Sequence, residues 1–152
     1  RRSLHELHFQ AANRLHLRPK LCVEATVVAL TVIYFREANI IHTGELTNLD
    51  GLPVIDADNG GTLEGMISSL YRVLELIDDD TIVVPGHGPV ADKDTIKSFL
   101  MKLVAVNNRI DALVDQGKSG QEILEINPAK EIIKEVPFPI LVNRALVGKG
   151  LL

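Results

Sequence analysis

A chain of 152 residues that is 46% hydrophobic and 24% charged has the length and balance of one globular domain, so 1–152 is expected to form a single unit. A net charge of -4 and a pI near 5.7, with Lys and Arg scattered along the chain, leave no basic stripe for neutralising phosphates, and no nucleic-acid partner is expected. Cys22 is the single cysteine; flanked by Leu21 and Val23 it reads as a buried thiol in a reducing, cytoplasmic setting. The most apolar stretch, 21–35, contains Glu24 and spans 15 residues, short of the roughly 18 to 20 that cross a bilayer. No membrane span is expected, and the opening RRSLHELHFQ has no apolar core of a signal peptide.

In chain order, 13–18 alternates weakly and 25–35 is rich in β-branched residues, as in a strand buried on both faces. Polar residues 36–39 make a short turn before Ile40, Ile41 and His42 resume an apolar run, which predicts a hairpin. The Gly, Asn, Asp and Pro of 47–61 predict a long ordered loop. A helix starting at Thr62 follows from Met66, Ile67, Leu70, Val73, Leu74 and Ile77 at helical spacing, with Asp78 to Asp80 as its solvated stop. Thr81 to Val84 is a short strand, and 85–89 reads as a tight loop.

A second helix has Asp92 as N-cap, an apolar face from Ile96 to Val114, and Gly117 past its end. Ser119 with Glu122 has capping-box spacing, and Asn127 with Pro128 resembles an N-cap before an N1 proline, so two short helices are expected. The last stretch, VPFPILVNRALVGKGLL, holds Pro137 and Pro139 and is expected to be an extended segment docked on the core.

Three segments carry the chemistry, in this order: HTGEL at 42–46, DADNGG at 56–61 and VVPGHGPV at 83–90. Together with LHFQAANRLHL and VIYFREANII upstream, their order and spacing resemble the metallo-β-lactamase superfamily over 7–124. In that family a T-G-D-L-like strand end supplies a metal-bridging Asp, a GG loop leads into a helix, and a G-H-G-like strand end supplies a ligand His. The resemblance implies the C-terminal half of an αββα sandwich, an α/β (α+β) fold with a mixed sheet and helices packed on one face. It also implies a metal that delivers hydroxide to an ester, amide or thioester carbonyl, with Glu45 and His87 as candidate ligands. His42, Thr43, Gly44, Gly86 and Gly88 then form the supporting loops.

The sequence departs from the family pattern at the ligands. The H-x-H-x-D-H motif is not in it, EATVVALT stands where the family has a further His, and Glu45 replaces the Asp, carrying its carboxylate about 1.5 Å further from the backbone. Two ligands do not make a tight zinc site, so no catalytic residue is assigned, and zinc is not expected to bind tightly. The expected role is that of a degenerate or partial module, non-catalytic as this chain stands and able to bind a partner. The alternative is a zinc-dependent hydrolase whose other ligands lie outside this chain. His5 and His8 in HELH miss the H-E-x-x-H pattern by one residue, and Asp56, Asp58 and Asn59 lack the Glu that would complete an EF-hand loop. Half of a sandwich leaves one sheet face bare, which predicts a homodimer burying residues such as Val28, Leu30, Val32 and Tyr34 or their neighbours of opposite parity.

Overall fold

A computed structural model describes residues 22–23, 30–51, 54–133 and 140–152. His5, His8, the alternation at 13–18, the thiol of Cys22, Val28, the first part of the 25–35 run, and Pro137 with Pro139 lie outside the described residues.

Strands β1 (Cys22–Val23) and β2 (Leu30–Thr31) pair antiparallel. A second sheet has the order β3 (Ile33–Phe35), β4 (Ile40–Asn48), β5 (Ile82–His87). The strand expected over 25–35 is thus interrupted at the buried Val32, because β2 pairs with β1 whereas β3 pairs with β4. Its last residues, Ile33 to Phe35, are half-buried and not enclosed on both faces.

The predicted hairpin at 36–39 is present. Ala38 and Asn39 donate backbone bonds to the Phe35 and Arg36 carbonyls, and Asn39 takes φ +51°, a conformation Asn tolerates. Its side chain ties the turn to the start of β5. Tyr34 Oη donates to Asn39 Oδ1 at 2.8 Å, Asn39 Nδ2 donates to Asp78 Oδ1 at 2.8 Å, and the Thr81 hydroxyl lies within 2.9 Å of both acceptors. Asp78 is therefore more than a solvated stop: hydrogen bonds from Asn39 and Thr81 hold its carboxyl below the usual range.

β4 and β5 run parallel, joined by the loop 49–62 and helix α1 (Leu63–Leu76), as a parallel pair requires. Cross-strand pairing places Tyr34, Ile41 and Val83 on one face of the sheet, the face the helices cover, where Ile41 and Val83 are fully buried. Ile33, His42 and Val84, with Phe35, Ile40 and Ile82, fall on the other face; all are half-buried except Ile82, which is 45% exposed. This is a mixed sheet with helices packed on one side.

The helices begin where their caps allow. Thr62 Oγ1 accepts from the Gly65 amide at 2.9 Å ahead of α1, and Asp92 Oδ1 accepts from the Thr95 amide at 2.8 Å ahead of α2 (Lys93–Asp115). α2 buries Ile96, Leu100, Leu103, Val106 and Ile110, and Gly117, at φ +79°, follows its end. α3 (Gly120–Ile126) carries the expected capping box of Ser119 and Glu122.

Three expectations fail. The segment 85–89 is not wholly a loop, since β5 continues through Pro85 and Gly86 to His87 beside β4. No helix starts at Pro128; at φ +49° Asn127 ends α3 in a left-handed conformation, its amide bonded back to the Ile123 carbonyl, and 128–132 only turns. The tail is not extended over its described part, because Ile140–Gly148 forms helix α4. Within it Leu141, Val142, Ala145 and Leu146 bury one face. Among the described residues no helix is long and apolar enough to cross a membrane.

The capping box generates a test. Hydrogen bonds from Lys118 and Ser119 hold Glu122 at about 2 instead of 4.5, so its contribution is full above pH 4.5 and is lost as pH falls through about 2. Ser119→Ala is expected to cost about 1 kcal/mol in urea unfolding and to raise the Glu122 midpoint in a carboxyl-detected NMR titration. An unchanged midpoint would remove the capping box from the account.

Candidate functional site

Glu45 and His87 are 42 residues apart and meet because β4 and β5 are parallel neighbours whose C-terminal ends lie together. His87 Nε2 is 3.1 Å from Glu45 Oε1, and the two side chains are 55% and 50% exposed.

Regular alternation would not bring Glu45 there. Ile41 and Thr43 point into the core, and the next residue in that phase is Glu45. The register instead slips at Gly44: His42 pairs with Val84 and Gly44 with Pro85, so Thr43 is an extra residue on β4. Gly44 accommodates the bulge at φ +53°. Beyond it the phase is reset, with Glu45 outside and Leu46 buried.

Gly86 serves a different need. A β-carbon on it would lie 2.6 Å from the Gly44 carbonyl oxygen and 3.1 Å from the Glu45 amide nitrogen, so a bare backbone is required for β5 to run this close. Gly88, at φ +105°, turns the chain over Leu49 and Asp50, and the Leu49 amide donates to the His87 carbonyl at 2.9 Å. His42 and Thr43 act as turn residues: His42 Nδ1 accepts from the Gly44 amide at 3.2 Å, and the buried Thr43 hydroxyl bonds Thr47 Oγ1 and lies 3.3 Å from the Val84 carbonyl.

The donors are of the types zinc takes, an imidazole nitrogen and a carboxylate oxygen. Their number falls short: among the described residues no group of three or more His, Cys, Asp or Glu could hold a metal ion. The described residues therefore do not fit a complete zinc site, which needs three or four protein ligands. The DADNGG segment has structural partners. Asn59 Nδ2 donates to Asp56 Oδ2 at 2.8 Å, the Gly61 amide donates to the Asp56 carbonyl at 2.8 Å, and Asp58 pairs with Arg144 of α4 at 2.9 Å.

A cavity of about 430 Å³, which the sequence motifs do not point to, is bordered by Asn48, Asp50, Ser98 and Lys102 beside the His87 turn. One signal for it is readable: Thr95, Ser98, Phe99 and Lys102 recur at i, i+3, i+4 and i+7 on α2, a stripe next to the buried one.

No family model matches the chain, and no curated protein matches it. Ten chains of solved structure do match. One is a double mutant of the sec-alkyl sulfatase PisA1, similar over 85% of this chain with a TM-score of 0.57 and 15% sequence identity. This chain spans 23% of the length of that one. The sulfatase has the metallo-β-lactamase fold, and the likeness shows that the mixed sheet and helices here are an α+β arrangement of the same type.

The two glycines are separable by mutation. Gly86→Ala is expected to force β4 and β5 apart, costing about 1–3 kcal/mol in chemical unfolding and breaking the His87–Glu45 contact in NMR spectra of the imidazole. Gly44→Ala meets only an ordinary contact, 3.9 Å from the Thr31 carbonyl oxygen, and an unfavourable φ, so it is expected to cost about 1 kcal/mol.

Proposed function

We propose that this chain is a partial module of a metallo-β-lactamase-fold hydrolase, contributing Glu45 and His87 and not catalytic as it stands. The supporting observation is the convergence of those two side chains at 3.1 Å on strand ends whose glycines and bulge serve that approach. A loop that had merely decayed has no need of a glycine under a 2.6 Å backbone clash. A hydrolase of esters, amides or thioesters requires further ligands from outside this chain, and the sulfatase likeness, covering 23% of that protein, agrees with a share of a larger catalytic unit.

The test is metal content. Protein dialysed after incubation with equimolar zinc is expected to retain far less than one zinc per chain by elemental analysis. His87→Ala is expected to alter stability by no more than about 0.5 kcal/mol, as an exposed substitution does. Stoichiometric retention of zinc, lost in His87→Ala together with hydrolytic activity, would replace this reading with that of a self-sufficient zinc enzyme.

A second copy of the chain is the partner this reading favours. The supporting observation is the sheet face formed by Ile33, Phe35, Ile40, Ile82 and Val84 around His42, apolar apart from that imidazole and turned from the helices. Isologous packing of two such faces would approximate a sandwich core. Sedimentation equilibrium at micromolar concentration is expected to give about twice the 16.7 kDa chain mass, and Ile82→Lys is expected to return it to the monomer value. A wild-type protein that sediments as a folded 16.7 kDa species excludes this assembly.

A further inference from the structure

The cavity beside the His87 turn, of about 430 Å³, falls in the size range of small-molecule sites. Two of its walls are the end of β4 with the residues after it, 48–51, and residues 89–91 beyond the Gly88 turn, and the third is the first three turns of α2. The walls are fixed by backbone hydrogen bonds. The Leu49 amide donates to the His87 carbonyl at 2.9 Å, and Val83 and Ala91 exchange amide–carbonyl bonds at 2.8 and 2.9 Å.

Its lining is two-sided. Leu49, Pro89, Val90, Phe99 and Ile133 present apolar surface, and Val90 is left 66% exposed. On α2, Lys102 and Ser98 stand one turn apart, and neither side chain has a hydrogen bond or ion pair among the described residues. Asp50 on the facing loop does not pair with Lys102 either, so among the described residues the wall offers one ammonium without a carboxylate partner, and the Asp50 carboxylate opposes a second negative charge on a ligand.

We infer that this cavity binds a small apolar monocarboxylate, its body against Phe99 and Val90 and its charge on Lys102 and Ser98. The apolar body supplies burial and the single charge sets orientation, the division of labour usual in small-molecule sites. The site does not require a metal and is independent of the reading of Glu45 and His87.

The probe is 4-phenylbutyrate, titrated calorimetrically into the whole chain in a buffer containing a metal chelator, with its neutral amide as comparator. Saturable one-site binding is expected, about tenfold tighter for the carboxylate than for the amide, the scale of one charge-assisted hydrogen bond. Lys102→Ala is expected to bring the two affinities together, Lys102→Arg to keep them apart, and Ser98→Trp, which fills the cavity from an exposed helical position, to abolish both. The absence of saturable binding, equal affinity for acid and amide, or an unchanged ratio in Lys102→Ala each overturns the assignment. Because the chelator removes zinc from every arm, failure here leaves the metal reading untouched.

Discussion

Between β4 and β5 the Gly44 carbonyl and the Gly86 α-carbon approach so closely that a methyl group on Gly86 would sit 2.6 Å from the oxygen. The rest of the site follows from that approach. With the strands held there, the bulge at Gly44 resets the inside–outside phase, Leu46 enters the core, and Glu45 leaves it on the same end of the sheet as His87. The loops beyond the strands are then close enough for the Leu49 amide to reach the His87 carbonyl, and Gly88 turns the chain over Leu49 and Asp50, which line one wall of the cavity. A single steric requirement thus links a strand register, a pair of side chains and a pocket.

The helical layer is held by burial and aligned by charge. α4 sinks Leu141, Val142, Ala145 and Leu146 to 2% exposure or less, and each large apolar side chain so buried contributes about 1.5–3 kcal/mol. Its ion pairs, Arg144 to Asp58 and Lys149 to Glu64 and Asp111, are partly solvated and of a class worth about 0–1 kcal/mol each. Burial therefore decides that α4 docks, and the ion pairs favour one orientation on α1 and α2. Burial pulls the Lys149 pKa down, but hydrogen bonds to Asp111 and Glu64 outweigh it and leave the ammonium above its usual value. The Asp58 contact carries this order to the 56–61 segment that leads into α1.

Local chemistry is legible in the sequence, and whatever depends on distant contacts is not. Asp92 and Ser119 announce their helices because a cap acts within three residues, and both side chains cap as expected, while Thr62, expected as the first helical residue, is the N-cap one position before it. Asn127 misleads because Asn suits both ends of a helix: before Pro128 it resembles an N-cap, yet its left-handed backbone closes α3. Pro137 and Pro139 suggest an extended tail, although a proline ahead of a helix leaves it intact and the spacing of Leu141, Val142, Ala145 and Leu146 is helical. The motifs at 42–46 and 83–90 locate Glu45 and His87, but not the reason they meet. The bulge at Gly44 and the clash at Gly86 exist only once β4 lies beside β5, and no periodicity within either strand encodes them.

The Glu45–His87 contact raises the question of whether the pair is closed to metal because its members bind each other. Magnitudes decide against that. Both side chains are about half exposed, and a hydrogen-bonded pair in such a setting is worth roughly 0–1 kcal/mol, a small obstacle beside the roughly 10–16 kcal/mol with which complete structural zinc sites bind. The longer reach of Glu45, about 1.5 Å beyond an Asp, lets its carboxylate find His87 across the strands, but rotation about its side-chain bonds releases it at little cost. The number of ligands matters far more. Two protein donors leave half or more of a tetrahedral zinc's coordination unfilled, so among the described residues any shortfall for a metal is one of donor number and not of the bond between Glu45 and His87. Breaking the pair would therefore not by itself create a metal centre, because it changes the freedom of two donors and not their number.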